Sequence, residues 1–302
     1  MKKMLVLIFA GFLAVAVAAC GSAEDSSGNA GNGGSEGAAE HEGSTLDRIL
    51  EEGKVKVGIA NEKPYGYEDE DGNVTGEGPE IAKAIFKKMG VEQFDAEIVE
   101  FGSLIPGLQA ERFDLVTAGM DIRPERCEQA LFSEPEIRYG EGMIVQAGNP
   151  LDLHSYEDIA ANPDVKVSVM AGANQHDYLR ELGVQEDQIE TSDSISSNIS
   201  AVASGRVDAT TMTEATAREA VETADDSVEL VDDFEQPIID GENVMAYGAA
   251  AFRQGDEELR DAYNEHLKEM EESGELLEIL EQFGFSEDNL PDGTTTADRC
   301  GG

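Results

Sequence analysis

The chain has 302 residues, with 64 Asp and Glu against 21 Lys and Arg, a formal charge of 21 − 64 = −43. A surface of that sign repels phosphate backbones and argues against nucleic acid as a partner. At 40% hydrophobic the composition is still that of a globular chain, and such a length predicts about two domains.

The N-terminus, "MKKMLVLIFAGFLAVAVAAC", starts basic, runs apolar and ends in small residues. That order predicts a secretory signal peptide over 1–19, too short for a durable membrane span. Its last residues, Val17-Ala18-Ala19-Cys20-Gly21, resemble the lipobox of bacterial lipoproteins, with Val17 where Leu is commoner. The resemblance implies that Cys20 takes lipid, becomes the mature N-terminus and anchors the protein outside the cell membrane; a plain signal peptide with an incidental cysteine is the alternative. The Gly-, Ser-, Ala- and Glu-rich stretch that follows has no periodicity. Residues 20–44 are therefore expected to be the lipidated cysteine and a disordered linker, with folded structure from near Thr45. For an exported chain this acidic, adaptation to a salty exterior is expected, because acid groups keep a surface hydrated when salt screens charge; an acidic secreted protein without that history is the other reading. Two cysteines remain, Cys127 and Cys300. Outside the cytoplasm an even pair predicts a bridge, here tying the C-terminal tail to the segment carrying Arg123 and Arg126; otherwise both are free thiols.

"KVKVGIANEKPYGY" begins as an alternating strand and stops at a Lys-Pro turn. "GEGPEIAKAIFKKMG" places Ile81, Ile85, Phe86 and Met89 at helical spacing before a closing Gly90. "DAEIVEF" reads as a strand, "GSLIPGLQAERF" as a helix and "DLVTAGM" as a strand. The second half repeats the alternation: "GMIVQAGN", "VKVSVMAG" and the end of "GRVDATTMT" as strands, with helices in "SYEDIAANP", "NQHDYLRELG" and "ISSNISAVAS". A last strand in "VMAYGAAAF" leads into two amphipathic helices separated by Gly274. Such alternation implies parallel sheets with helices on both faces, and ligands bind beyond the carboxyl ends of their strands. Glu62 and Tyr65 follow the first strand and Asp121 to Arg126 the third, so both groups belong to one rim.

The words "ANEKPYGY", "GEGPEIAKAI", "FGSLIPGLQAERFDLVTAGM", "RPERCEQALFSEP", "GRVDA" and "AAFRQGDEELRDAYNEHL" resemble the extracytoplasmic solute-binding proteins of polar-amino-acid-type ABC transporters. The resemblance spans roughly residues 45 to 285 in the family's order. It implies an α/β fold of the periplasmic-binding-protein type II kind, two lobes joined by two crossovers. Lobe 1 would be residues 45–138 plus 246–300 and lobe 2 residues 139–245. Within that family "IPGLQA", "PERC", "FSEP", "GNPLDLHSYEDIAANPD" and "SGELLEILEQFGFS" are similar to the ectoine- and hydroxyectoine-binding proteins. A small zwitterionic solute and a membrane ABC permease are the partners this implies, for a monomer that is not an enzyme. The alternatives are a receptor for a polar amino acid or a cationic zwitterion, and a dehydratase-like enzyme on the same fold. A sensor ectodomain is disfavoured by the lack of a later apolar run.

Arg126 is the first candidate contact, since a guanidinium fork fits a carboxylate with two parallel hydrogen bonds. The resemblance implies that it grips the solute carboxylate; read from the residues alone, it pairs with Glu125 or Glu134 on a solvated loop. Arg123 is expected to face water. By resemblance Tyr65 is an aromatic wall for a delocalised cation and Glu62 its counter-charge. Phe101 is a further wall or, preferably, core. Asn174 starts a helix and either caps it or closes the second lobe on the carboxylate. Thr213 falls where amino-acid binders often carry an aspartate for the ammonium, which argues against an ordinary α-amino acid. Asp121 stands where ectoine binders usually present an aromatic ring, and would pair with a cationic solute group or with Arg126. The ligand-binding set is thus Glu62, Tyr65, Asp121, Arg126, Asn174 and Thr213. His41, His154, His176 and His266 are scattered without ligand spacing, and no phosphate loop or nucleophile motif occurs, so no metal, cofactor or catalytic residue is expected.

Overall fold

A computed structural model of the chain describes residues 43–301. The signal peptide, Cys20 and all but two residues of the linker lie outside the described residues. The helix Thr45–Glu52 opens on a reciprocal cap: the Ser44 hydroxyl accepts from the Asp47 amide and the Asp47 carboxylate accepts from the Ser44 amide. It closes on Gly53 in the left-handed region at φ 63°, where a residue without Cβ carries no steric penalty.

Two sheets follow. The first runs in the order Gln93–Ile98, Lys54–Ile59, Leu115–Asp121, Ala246–Phe252, Leu131–Phe132, with Ile137–Tyr139 also paired to Ala246–Phe252. The second runs Ile189–Ser192, Val167–Met170, Ala209–Thr213, Glu141–Gln146, Val228–Leu230. The chain leaves the first sheet at Tyr139, enters the second at Glu141, and returns to the first at Ala246. Two lobes and two crossovers result. The sheets are mixed, not parallel as the alternation implied. Ala246–Phe252 is antiparallel to Leu115–Asp121 and Glu141–Gln146 is antiparallel to Ala209–Thr213. Both exceptions are the strands by which the chain arrives from the other sheet. They do not follow a strand–helix–strand crossover, so the geometry that enforces parallel neighbours does not act on them.

Each sheet is covered on both faces. In the first, Val55, Val57 and Ile59 pack with Ile81, Ile85 and Phe86 of the helix Glu77–Lys88 and with Tyr263 and Leu267 of Glu257–Ser273. The opposite face holds Leu104, Leu108, Phe113 and Val116. Phe113 lies so close to the strand that a Cβ on Gly58 would stand 2.7 Å from its ring, which requires glycine there. The second sheet has equivalent layers around Tyr156 and Leu179 on one side and Val202 and Val207 on the other. The one-turn helix Pro124–Cys127 and the helix Glu214–Thr223 lie outside the elements expected from sequence. In the latter only Thr216 and Ala217 are buried, too few apolar positions for a periodic signal.

Cys127 and Cys300 are joined in a disulfide across a sequence separation of 173. It fixes the short helix carrying Arg126 to the last described turn of chain, Thr296–Arg299. A cross-link closing so long a loop restricts the unfolded chain strongly. Cys300→Ser should therefore lower the unfolding free energy by about 2–5 kcal/mol in urea titrations. Dithiothreitol should reproduce that loss in the unaltered protein and add nothing to the variant.

Candidate functional site

The six residues Glu62, Tyr65, Asp121, Arg126, Asn174 and Thr213 line one cavity where the carboxyl ends of the two sheets' strands face each other. Its free interior is small, about 30 Å³, room for a water or two. The walls stand nearly shut and are held by bonds between the lobes.

Asp121 is the centre of these bonds. It ends a strand whose seven residues are all buried. Its Oδ2 accepts from Asn174 Nδ2 at 2.8 Å and from the Tyr178 hydroxyl at 3.4 Å, both from the second lobe. Its Oδ1 accepts from the Tyr247 amide at 2.8 Å and faces Arg299 Nη2 at 3.5 Å. Burial raises its pKa above the ordinary carboxylate value, against the lowering effect of Arg299 and Arg126. Asn174 donates its Nδ2 to Asp121, and its Oδ1 makes no cap at the head of Gln175–Glu181.

Arg126 is buried and donates from Nη1 to the Asp121 carbonyl at 2.9 Å and from Nη2 to the Gly172 carbonyl across the cleft at 3.0 Å. Its guanidinium lies 5.5 Å from the centre of the Phe101 ring. Phe101 packs against the core, as expected, and also lines the cavity wall. The solvated-loop alternative for Arg126 fails, because Glu125 pairs with Arg123 instead. Arg123 does not face water: its side chain is 15% exposed, bridges Glu125 and Asp177, and lies over the Tyr178 ring. The short helix directs the two arginines to different partners, one inward and one along the rim.

On the other wall the Thr216 hydroxyl donates to Glu62 Oε1 at 2.8 Å, again between lobes. Thr213 caps the helix Glu214–Thr223 by accepting from the Thr216 amide at 3.2 Å, and its hydroxyl bonds that of Thr216. Tyr65 is buried between Tyr139 and Phe285, with its hydroxyl near Thr213 but completing no hydrogen bond. Burial pushes the Glu62 carboxyl up to about 7, against the lowering bond from Thr216.

Sequence reading missed several members of this constellation. Tyr139, Gln175 and Thr211 line the cavity, Thr216 reaches it from an unexpected helix, and Arg299 arrives from the tail. Glu141, a buried acid opening the strand Glu141–Gln146 ahead of the apolar run Met143–Val145, is a further signal legible in the sequence. Among the described residues no group of three or more His, Cys, Asp or Glu is placed to hold a metal ion, and no helix is long and apolar enough to cross a membrane.

A two-lobed α/β clamp with a buried arginine and buried carboxylates at its mouth defines the class: a type II periplasmic-binding-protein fold. The pattern of the bacterial extracellular solute-binding proteins, family 3, matches residues 55–287, and the chain belongs to that family. It is 41% identical over 256 residues, 83% of this chain and 84% of the relative, to the probable amino-acid ABC transporter periplasmic-binding protein y4tE of Sinorhizobium fredii. It is 31% identical over 287 residues, 94% of this chain and 98% of the relative, to the arginine-binding extracellular protein ArtP of Bacillus subtilis. A shorter match, 30% over 142 residues and covering 45% of this chain and 51% of the relative, is to cyclohexadienyl dehydratase of Pseudomonas aeruginosa. The crystal structure of EhuB in complex with hydroxyectoine superposes with a TM-score of 0.77 at 36% identity, over 85% of this chain and 97% of that one. The protein is a solute-binding receptor of an amino-acid-type ABC importer, working outside the cytoplasm with a membrane permease.

A carboxyl raised in the folded state keeps its proton longer folded than unfolded. The stability contributed by Glu62 is therefore full below its ordinary value of 4.5 and is lost as pH rises through about 7. Between about pH 5 and about pH 8 the melting temperature of Glu62→Gln should fall less than that of the unaltered protein. Calorimetric scans of the solute-free proteins at both pH values would show it.

Proposed function

We propose that the solute is ectoine, hydroxyectoine or a closely related small zwitterion, and that Arg126 takes its carboxylate. One observation carries this reading: Arg126 is a buried guanidinium whose hydrogen bonds go to backbone carbonyls, with no ion pair to a described carboxylate. Its charge is left for an incoming acid group, which can displace the Gly172 carbonyl and form the bidentate pair. Glu62, Tyr65 and Phe101 then surround the positive end, the rings offering their faces and Glu62 its charge. The similarity to EhuB, solved with hydroxyectoine, supports the choice of solute.

Capture works by hinge closure. The bonds Asp121–Asn174, Glu62–Thr216 and Arg126–Gly172 already run from one lobe to the other, so the closed arrangement has its own stabilisation. A solute adds to it only by touching both lobes, which is how binding shifts the population towards closure. Asp121 serves here as a latch more than as a solute counter-charge, because each of its oxygens is already engaged. Beyond the described residues, the reading includes a lipid on Cys20 as the membrane anchor of a monomeric receptor.

A cationic amino acid is the second reading. Asp121 and Asn174 make the site more polar than an aromatic cage, and the relative ArtP is named for arginine. The dehydratase alternative would need Glu62 or Asp121 as a proton carrier; solute recovered unchanged from the complex would dispose of it.

A thermal-shift screen of compatible solutes and polar amino acids at several salt concentrations should single out ectoine or hydroxyectoine. A shift with arginine alone would replace the first reading by the second. Arg126→Ala should weaken binding about tenfold to a few hundredfold, from the about 1.5–3 kcal/mol of a charged hydrogen bond. Unchanged affinity by titration calorimetry would remove Arg126 from the site.

A further inference from the structure

Glu141 is 1% exposed and opens the strand by which the chain enters the second lobe. It stands directly opposite Thr213 in the antiparallel ladder, and opposed residues project to the same face. Thr211 and Thr213, two positions apart, both line the cavity. The Glu141 side chain therefore shares the sheet face of Thr211 and Thr213 and lies directly behind the cavity wall, bonded to the lining residue Gln175. One oxygen is fully held: Oε2 accepts from Gln175 Nε2 at 2.7 Å and from the Tyr156 hydroxyl at 3.2 Å. Tyr156 is itself fixed by the hydroxyl of Thr211. The other oxygen, Oε1, is buried and has no hydrogen-bond partner.

A buried acceptor without a donor is costly unless a donor arrives. Asn174 Oδ1, a wall atom of the same cavity, is a second buried acceptor in that condition. Both unmet needs are for donors. Asp121 and Glu62 on the opposite lobe lie close enough to act on Glu141 electrostatically, both as negative groups.

We propose that Glu141 is a further solute contact, whose Oε1 accepts an N–H from the positively charged end of the solute. The inference rests on the receptor reading of the same cavity and narrows it. The solute carries an N–H-bearing cation, such as an ammonium, amidinium or guanidinium, and not a quaternary ammonium. The carboxylate absent at Thr213 is supplied by its register partner on the neighbouring strand. Burial pushes the Glu141 carboxyl up to about 8, against the bonds from Gln175 and Tyr156; a cation beside it favours the ionised acceptor.

The test is titration calorimetry of the wild type and Glu141→Gln with ectoine, L-arginine and glycine betaine, the last a zwitterion with no N–H. Whichever of ectoine or L-arginine binds the wild type should bind Glu141→Gln at least tenfold more weakly. The melting temperature of the solute-free variant should stay within a few degrees. The wild type itself should bind glycine betaine at least tenfold more weakly than its preferred N–H-bearing probe, a result that holds even if the variant fails to fold. Affinity of Glu141→Gln within twofold of wild type overturns the inference and leaves the receptor reading intact, as does glycine betaine binding as tightly as the other probes. A wild type that binds none of the three overturns both.

Discussion

A buried carboxylate and a buried guanidinium stand together in the cavity between the two lobes, and the rest of the site is arranged around them. Asp121 is deeply buried, and burial alone would drive it to the neutral form. It is held by Asn174 and Tyr178 from the second lobe, by the Tyr247 amide, and by Arg299 from the tail. Arg126, five residues on, gives one N–H to the Asp121 carbonyl and another to Gly172 across the cleft. Desolvating either charge without these partners would cost several kcal/mol, on the order of what the whole fold has in reserve. Both charges thus depend on partners supplied by the second lobe.

This arrangement ties the tail to the cavity residue Asp121. Arg299 lies over Tyr247 and against Asp121, one residue before the disulfide that ties it to the helix of Arg126. The bridge brings Arg299 to the Asp121 carboxylate and holds the helix from which Arg126 bonds the Asp121 backbone carbonyl. A surface as acidic as this one carries many ion pairs, such as Arg218 with Glu214, that are open to solvent and contribute little. The cavity charges are different because water is excluded from them.

A clamp of this kind separates two tasks. The first lobe carries the fixed positive charge, Arg126, and the aromatic faces of Tyr65 and Phe101. The second contributes acceptors and short hydroxyls: Asn174, Thr211, Thr213 and, on the proposal above, Glu141. On that proposal a solute with an acid end and an N–H-bearing cationic end would satisfy both lobes at once, whereas a molecule with only one of those ends would leave a buried group without its partner. Selectivity then follows from unmet hydrogen bonds more than from cavity shape.

The periodicity of "GEGPEIAKAIFKK", the alternation of "KVKVGI" and the apolar run ending at Asp121 determined the helices, strands and the rim to which Glu62, Tyr65 and Arg126 belong, because these signals are local and set by the geometry of the chain. The cysteine pair and the arginine after Pro124 were legible for the same reason, as residue types with few chemical uses. Tertiary structure alone decided the partners. Asn174 meets Asp121 across 53 residues and Thr216 meets Glu62 across 154, distances over which no sequence pattern repeats. It also decided that the strands arriving from the other lobe run antiparallel, that Arg123 is covered by Tyr178 and Asp177, and that Glu141 lies beside Thr213. Each of these depends on two segments meeting in space, and the energy that brings them together comes from burying both at once.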